Sequence, residues 1–316
     1  MADERLVTVK SSGGDYTSLA AAIAGEAGNL VAADEWLHIE CYAMTDITEA
    51  HITGFTTSSD CRIVVDTPLS ERHQGVWDSN KYNLKYSIGN GIIKVSQSHV
   101  LLEGLQVWST LPWSGTGIYI NDYLENVKVS KSIVRGDSVS GIFTIKGEPP
   151  YHQIYNCLAL NSPYGFGIRG TIAYNCTAVD CGKGFNQMWT SVTAYNCLST
   201  GSSDSDYGSA VVPANLTLYN CASGDSSATS YAGSNNRANQ TFTFKDAAHG
   251  DYHLAEGDTG ARGYGAVNPG SGLYLDDVDG QLRGASWDIG FDQYVGATPP
   301  PSGMQKWYYH TQTMRG

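Results

Sequence analysis

The chain has 316 residues, only 16% of them charged, and it is rich in glycine (36) and tyrosine (20). Its 31 acidic and 19 basic residues give a net charge of −12. That balance excludes sequence-independent nucleic-acid binding, which needs a basic surface to displace counterions. No apolar run reaches the 18 or so residues of a membrane-spanning helix, and abundant Gly, Ser, Thr and Tyr favour strands and turns.

The first residues, Met1-Ala2-Asp3-Glu4-Arg5-Leu6, lack the basic segment and apolar stretch of a secretory signal. Seven cysteines (41, 61, 157, 176, 181, 197 and 221) form an odd set with no Cys-x-x-Cys pair. Free thiols and synthesis in a reducing cytoplasm are therefore expected. Gly14 to Ser18 precede a helical run, Leu19 to Ala24, with Asp or Ser near its start. Residues 1–34 are read as a strand and a capping helix that covers an otherwise open strand edge. Strands are predicted at Trp36 to Tyr42, Arg62 to Val65 and Ile92 to Val95, the first and irregular units of a repeating array.

A repeat dominates the middle. Tyr155-Asn156-Cys157, Tyr174-Asn175-Cys176, Tyr195-Asn196-Cys197 and Tyr219-Asn220-Cys221 recur at spacings of 19, 21 and 24 residues. Segments around Val100 to Val107 and Val127 to Val134 fit the same frame, so the cysteine column extends back through Ser132 to Leu105. A second marker accompanies it: Gly117-Ile118, Gly141-Ile142, Gly167-Ile168 and Gly184-Phe185. Apolar residues alternate within each unit, as half-buried strands require. Units this short bury their apolar faces only by stacking. Stacking would put the amides of Asn156, Asn175, Asn196 and Asn220 about 4.8 Å apart as a structural ladder, with thiols pointing inward.

These columns resemble the right-handed parallel β-helix repeat proteins, the pectate-lyase-like superfamily of polysaccharide-active enzymes and of phage spikes and fibres. The resemblance covers roughly residues 8–295 and implies an all-β, single-stranded parallel β-helix with an N-terminal capping helix and a short C-terminal tail. Coils are assigned to residues 35–250 and a closing segment to 251–297, where Asp279 is expected to pair with Arg283. A proline-rich linker and aromatic tail occupy 298–316, with Trp307, Tyr308 and Tyr309 as a docking peptide.

Chemistry is harder to place. Glycoside hydrolysis needs two carboxyl groups on one surface. Weak catalytic candidates are Asp180, Asp204 and Asp206, with Asp137 and Glu148 in other inter-strand loops. A pectate-type lyase would need clustered acids for calcium beside its bases, and none is evident around Arg169 and Lys183. Asp276 to Gly280 lacks the later ligands of an EF-hand and reads as an acidic turn. His152, His249, His253 and His310 read as surface or turn histidines, so no metal and no cofactor are expected. Tyr155, Tyr174, Tyr195 and Tyr219 form either a stripe for sugars or a partner, or a self-stacking ladder.

Two function classes are compatible with this pattern. The first is a non-enzymatic phage virion protein (head decoration, fibre or spike), made in the host cytoplasm and carried on the particle surface. Its partners would be capsid or tail proteins bound through the tail, with surface glycans and a homotrimer compatible, and with no membrane insertion. The alternative is a polysaccharide-degrading β-helix enzyme, a hydrolase or lyase. A groove holding an acidic pair and aromatics separates the two.

Overall fold

The computed structural model describes residues 2–86, 91–110, 116–121, 123–136, 143–146 (backbone), 152–272 and 274–296. The chain winds repeatedly through three parallel sheets. The first holds ten strands, from Asp3–Val9 and Glu35–Cys41 through Ile63–Asp66, Val100–Glu103, Val127–Ser130, His152–Tyr155, Thr171–Tyr174, Val192–Tyr195 and Leu216–Tyr219 to Ala232–Ser234. The second holds eight short strands, among them Asn83–Tyr86, Gln106–Ser109, Ile133–Gly136, Leu158–Leu160 and Thr177–Val179. The third holds seven, from Ala50–Ile52 to Ser205–Ser209. Each strand pairs with its counterpart in the next coil, so the fold is a parallel β-helix.

Sequence dictates the rungs directly. Val127, Val129, Ile154, Ala173, Ala194 and Leu218 point inward and are fully buried, while their strand neighbours Lys128, Gln153, Ile172, Thr193 and Thr217 face out. The column Leu105, Ser132, Cys157, Cys176, Cys197 and Cys221 is also fully buried. Its thiols donate weakly to the carbonyls two residues back, 3.3 to 3.5 Å away, and burial pushes the thiols of Cys176, Cys197 and Cys221 up.

The bend before each of these residues is left-handed: φ is 53° at Asn156, 49° at Asn175, 51° at Asn196 and 52° at Asn220. Asn tolerates that region better than most side chains. Gly104 and Lys131 hold the bend in earlier coils, with φ of 69° and 46°. The glycine marker is out of step with the third sheet, where Ile118 pairs with Phe143, Phe143 with Phe166, and Phe166 with Phe185. At Ile168 the marker stands two residues past Phe166, a slip that keeps the same face inward, so alternation alone left that register open; Gly141 and Ile142 lie outside the described residues.

Helix Leu19–Glu26 starts at Ser18, whose side chain accepts from the Ala21 amide, and buries Leu19, Ala22 and Ile23 in the main core. At the other end the chain turns back along the coils. Tyr264, Ala266 and Asp276 offer backbone carbonyls to the amides of Asn220, Asn196 and Asn156 in turn. Tyr252, Val278 and Phe291 pack on Ile133, Leu158, Leu160 and Val179 of the second sheet. The expected Asp279–Arg283 pair is not formed. Arg283 instead donates to the carbonyls of Asp276, Asp288 and Gly290, because the returning segment encloses it, and Asp279 turns to His253.

Candidate functional site

The connection 67–82 meets the returning segment: Gly75 lies against His253 and Val278, and Trp77 packs against the cluster that holds Tyr252, Val278 and Phe291. Arg72 anchors this connection. It is 2% exposed, donates to the Thr67 carbonyl at 3.0 Å and to Glu103 at 2.9 Å, and lies 3.8 Å from Asp66. The guanidinium outweighs the burial of Glu103 and holds that carboxyl below its usual range. Gly75 has a φ of 67°, and any Cβ there would collide with the His253 imidazole. Glycine is thus what lets the histidine approach the loop.

Between loop and returning segment lies an open cleft of about 760 Å³. Trp77, Asp78 and Lys81 line one side; Asp251, His253, Asp279, Gln281 and Asp292 line the other. His253 bridges two carboxylates, with Nδ1 2.5 Å from Asp251 and Nε2 3.1 Å from Asp279. Burial opposes its charge. The hydrogen bonds and the negative charges of Asp292 and Asp279 outweigh that, and its pKa rises to about 10. At neutral pH it is an imidazolium.

The carboxyls around it are pushed apart. Asp292 is 4% exposed and accepts from the Leu254 amide at 2.8 Å; its burial raises its pKa despite the nearby imidazolium. Asp251 suffers burial too, but the bond from His253 wins and holds it low. One Asp279 oxygen is buried with no hydrogen-bond partner among the described residues. A ring nitrogen of His253 and a carboxylate oxygen from each of Asp279 and Asp292 lie within 4.8 Å of one another. With the imidazole neutral, that spacing would fit a divalent cation, Asp251 behind the ring as an orienting carboxylate; the proton that the carboxylates hold on His253 competes with such an ion. A second such trio, His38, Glu40 and Asp66, lies on the first sheet. Its histidine is already engaged by Glu4 and Asp66 at 2.6 and 2.9 Å.

The carboxylates singled out from sequence lie elsewhere. Asp204 pairs with Lys183 at 3.2 Å. Asp206 is buried and accepts from Ser199 and from the Gly224 and Asp225 amides, a turn-closing role. Asp180 is exposed at a left-handed bend. None of the three lines the cleft. Tyr155 and Tyr174 lie beneath Tyr274, at 3.8 and 5.0 Å, and are 8% exposed. Tyr195 stacks between Tyr174 and Tyr219 at 5.3 and 5.0 Å. Asn175 accepts from Asn196 at 3.1 Å, while the other amides bind the returning segment. Asp137, Glu148, Trp307, Tyr308, Tyr309 and the whole stretch 298–316 lie outside the described residues.

Reading His253 as an ordinary turn histidine is therefore corrected: it is the centre of the acid cluster. The local signal was Asp251-x-His253, two residues apart and so on one face of a strand, with a segment dense in Asp after it.

No protein family and no curated protein matches the chain. Among solved structures it is similar to the pectin methylesterase of Aspergillus niger, 10% identical over 79% of this chain and 89% of that one, at a TM-score of 0.47. A likeness at that level transfers no residue and no activity. The expectation of a non-enzymatic virion component is withdrawn in favour of its enzyme alternative, because the cleft brings together an acid cluster, His253 with Asp279 and Asp292, that the expectation took to be lacking.

Proposed function

We propose that the chain is a polysaccharide-degrading β-helix enzyme that hydrolyses glycosidic bonds in the cleft between the 67–82 connection and the returning segment. The observation that carries this reading is the Asp279–Asp292 pair, whose oxygens lie within 4.8 Å beside His253. That bound is too short for the intervening water of an inverting glycosidase, whose carboxyls stand about 6.5 to 9.5 Å apart, and is nearer the roughly 5 to 5.5 Å of a retaining one. The two members also differ as that chemistry needs: Asp292 is pushed toward its protonated form, while the His253 imidazolium pairs with Asp279.

In the reaction Asp292 gives its proton to the glycosidic oxygen as the bond from that oxygen to the anomeric carbon breaks. The Asp279 carboxylate bonds to that carbon. Water then displaces it, surrendering a proton to Asp292, which restores both groups. Trp77 offers a face on which a sugar ring can stack.

The test is incubation with a polysaccharide panel, read by reducing ends and by ultraviolet absorbance. Release of reducing ends with retained anomeric configuration is expected. Asp292→Asn should lower the rate about 10²- to 10⁴-fold. Unsaturated, ultraviolet-absorbing ends would move the reading to elimination. Full activity in Asp292→Asn and Asp279→Asn would overturn it.

A further inference from the structure

Two clusters among the described residues set a histidine nitrogen and two carboxylate oxygens within 4.8 Å of one another, and their surroundings differ. On the first sheet, beside His38, Asp66 lies 3.8 Å from the buried Arg72 guanidinium, whose charge opposes a second cation, and Glu40 accepts from the Tyr42 hydroxyl at 2.7 Å. In the cleft, Arg283 directs its donors to carbonyl oxygens, those of Asp276, Asp288 and Gly290 among them. Lys245, largely exposed, reaches only the outer carboxylate, Asp251, at 3.4 Å. We infer that His253, Asp279 and Asp292 form a binding site for a divalent transition ion of the zinc type, and that an ion bound there shuts the cleft down.

Donor atoms around a tetrahedral ion with bonds of about 2.0–2.1 Å stand about 3.3 Å apart. Nε2 of His253 and an Asp279 oxygen are already 3.1 Å apart, so one edge of the site is in place, and Asp292 closes the face. Nδ1 meets Asp251 at 2.5 Å, the second-shell contact that fixes the tautomer and direction of a ligating imidazole. Gly75 and the Phe291 ring, whose centre is 5.7 Å away, hold the imidazole in position. Independently of these bonds, Asp279 keeps one buried oxygen with no hydrogen-bond partner. Asp292, 4% exposed, uses a single oxygen, Oδ2, to accept from the Leu254 amide. A buried carboxylate oxygen left without a donor is costly, and a cation offsets that cost.

The ring nitrogen selects the ion. Imidazole suits zinc, copper and nickel, whereas calcium and magnesium take oxygen ligands in larger number. On binding, a nitrogen–metal bond forms at Nε2, the proton on that nitrogen leaves to solvent, and one oxygen of each carboxylate joins the ion, which keeps water in its open position. Asp292 then has no proton to give, and Asp279 is held away from the anomeric carbon. Binding stands on the geometry alone; its inhibitory effect rests on the reading of Asp279 and Asp292 as the reacting pair.

The full chain, stripped of metal by a chelator, is titrated with zinc chloride by calorimetry, with cobalt chloride by visible absorption, and with calcium chloride for comparison. One zinc per chain should bind, with calcium about 100-fold weaker or more. Asp251→Asn should weaken zinc about 10- to 100-fold by freeing the ring, and His253→Gln should weaken it further. Zinc should also raise the melting temperature of the parent and leave that of His253→Gln unmoved, a readout that survives a less stable variant. Zinc should stop glycan cleavage, and chelator should restore it. Zinc bound with cleavage undiminished would sustain the site and sink the reading of Asp279 and Asp292 as the reacting pair. No zinc binding, calcium bound as tightly as zinc, or both variants binding as the parent does would overturn the site and leave the hydrolase reading standing.

Discussion

The early and late coils solve one packing problem in different ways. One register row of the first sheet reads Glu40, Asp66, Glu103 and Ser130, then Tyr155, Tyr174, Tyr195 and Tyr219. Stacked tyrosines attract one another, and Tyr274 completes their pile. Stacked carboxylates repel, so that half of the row needs a cation from elsewhere, and Arg72 of the 67–82 connection provides it. The same helical frame is thus self-sufficient where rungs are alike. Where they differ it depends on inserted groups, and those insertions build the cleft.

Removing the inserted cation is the hardest blow to this contrast. Arg72→Ala leaves Glu103 and Asp66 facing each other without it, and losing one partner of a buried ion pair costs about 3–5 kcal/mol. Urea unfolding should show that loss, with early protease cleavage within 67–82. A variant as stable as the parent would mean that the early coils do not rely on the loop.

Alkali should unpick the junction between the two halves almost as strongly. The pKa of His253 is about 10 in the folded chain against 6.5 for the free side chain. Its contribution is therefore complete below about pH 6.5 and disappears as pH rises through 10. A shift of that size corresponds to stability of at most about 5 kcal/mol. Thermal unfolding between pH 6 and 11 should show the decline in the parent and a flatter profile in His253→Gln. Parallel profiles would place the pH sensitivity elsewhere.

In the late coils the corresponding cover is aromatic. Tyr274 is 3% exposed, and truncating a buried aromatic costs about 3 kcal/mol or more. Tyr274→Ala should lower stability by that amount and raise the exposure of Tyr155 and Tyr174, without changing cleft chemistry. Lost cleavage at full occupancy would tie the two regions more closely than the packing implies.

How far each region was legible in sequence depends on its physics. The tyrosine, asparagine and cysteine columns could be read because neighbours in space are identical residues at nearly constant spacing, and their register is indeed Tyr to Tyr. In the second sheet Lys85, Trp108 and Arg135 pair from coil to coil in the same way but are three unlike residues, so no column announces them. The cleft is further out of reach. It joins residues 72–81 to residues 251–292 through a returning segment whose contacts have no period. What did survive in sequence was Asp251-x-His253, a local pair whose importance depends on Asp279 and Asp292 arriving from elsewhere.

The smallest effects separate two carboxylates that look alike in sequence. Asp206 is 2% exposed and holds the Gly224 and Asp225 amides and the Ser199 hydroxyl, so Asp206→Ala strands several donors at once. A buried donor left unpaired costs about 1–3 kcal/mol. Asp204, two residues earlier, pairs with Lys183 at 3.2 Å with most of its side chain in water. Pairs of that kind are worth about 0–1 kcal/mol, so Asp204→Asn should change unfolding barely at all. Neither lines the cleft, so neither should affect cleavage beyond what lost folding explains. If Asp204→Asn abolished cleavage in a fully folded protein, the reacting carboxylates would belong to the regular coils, and the division between a self-sufficient half and a chemical half would be drawn in the wrong place.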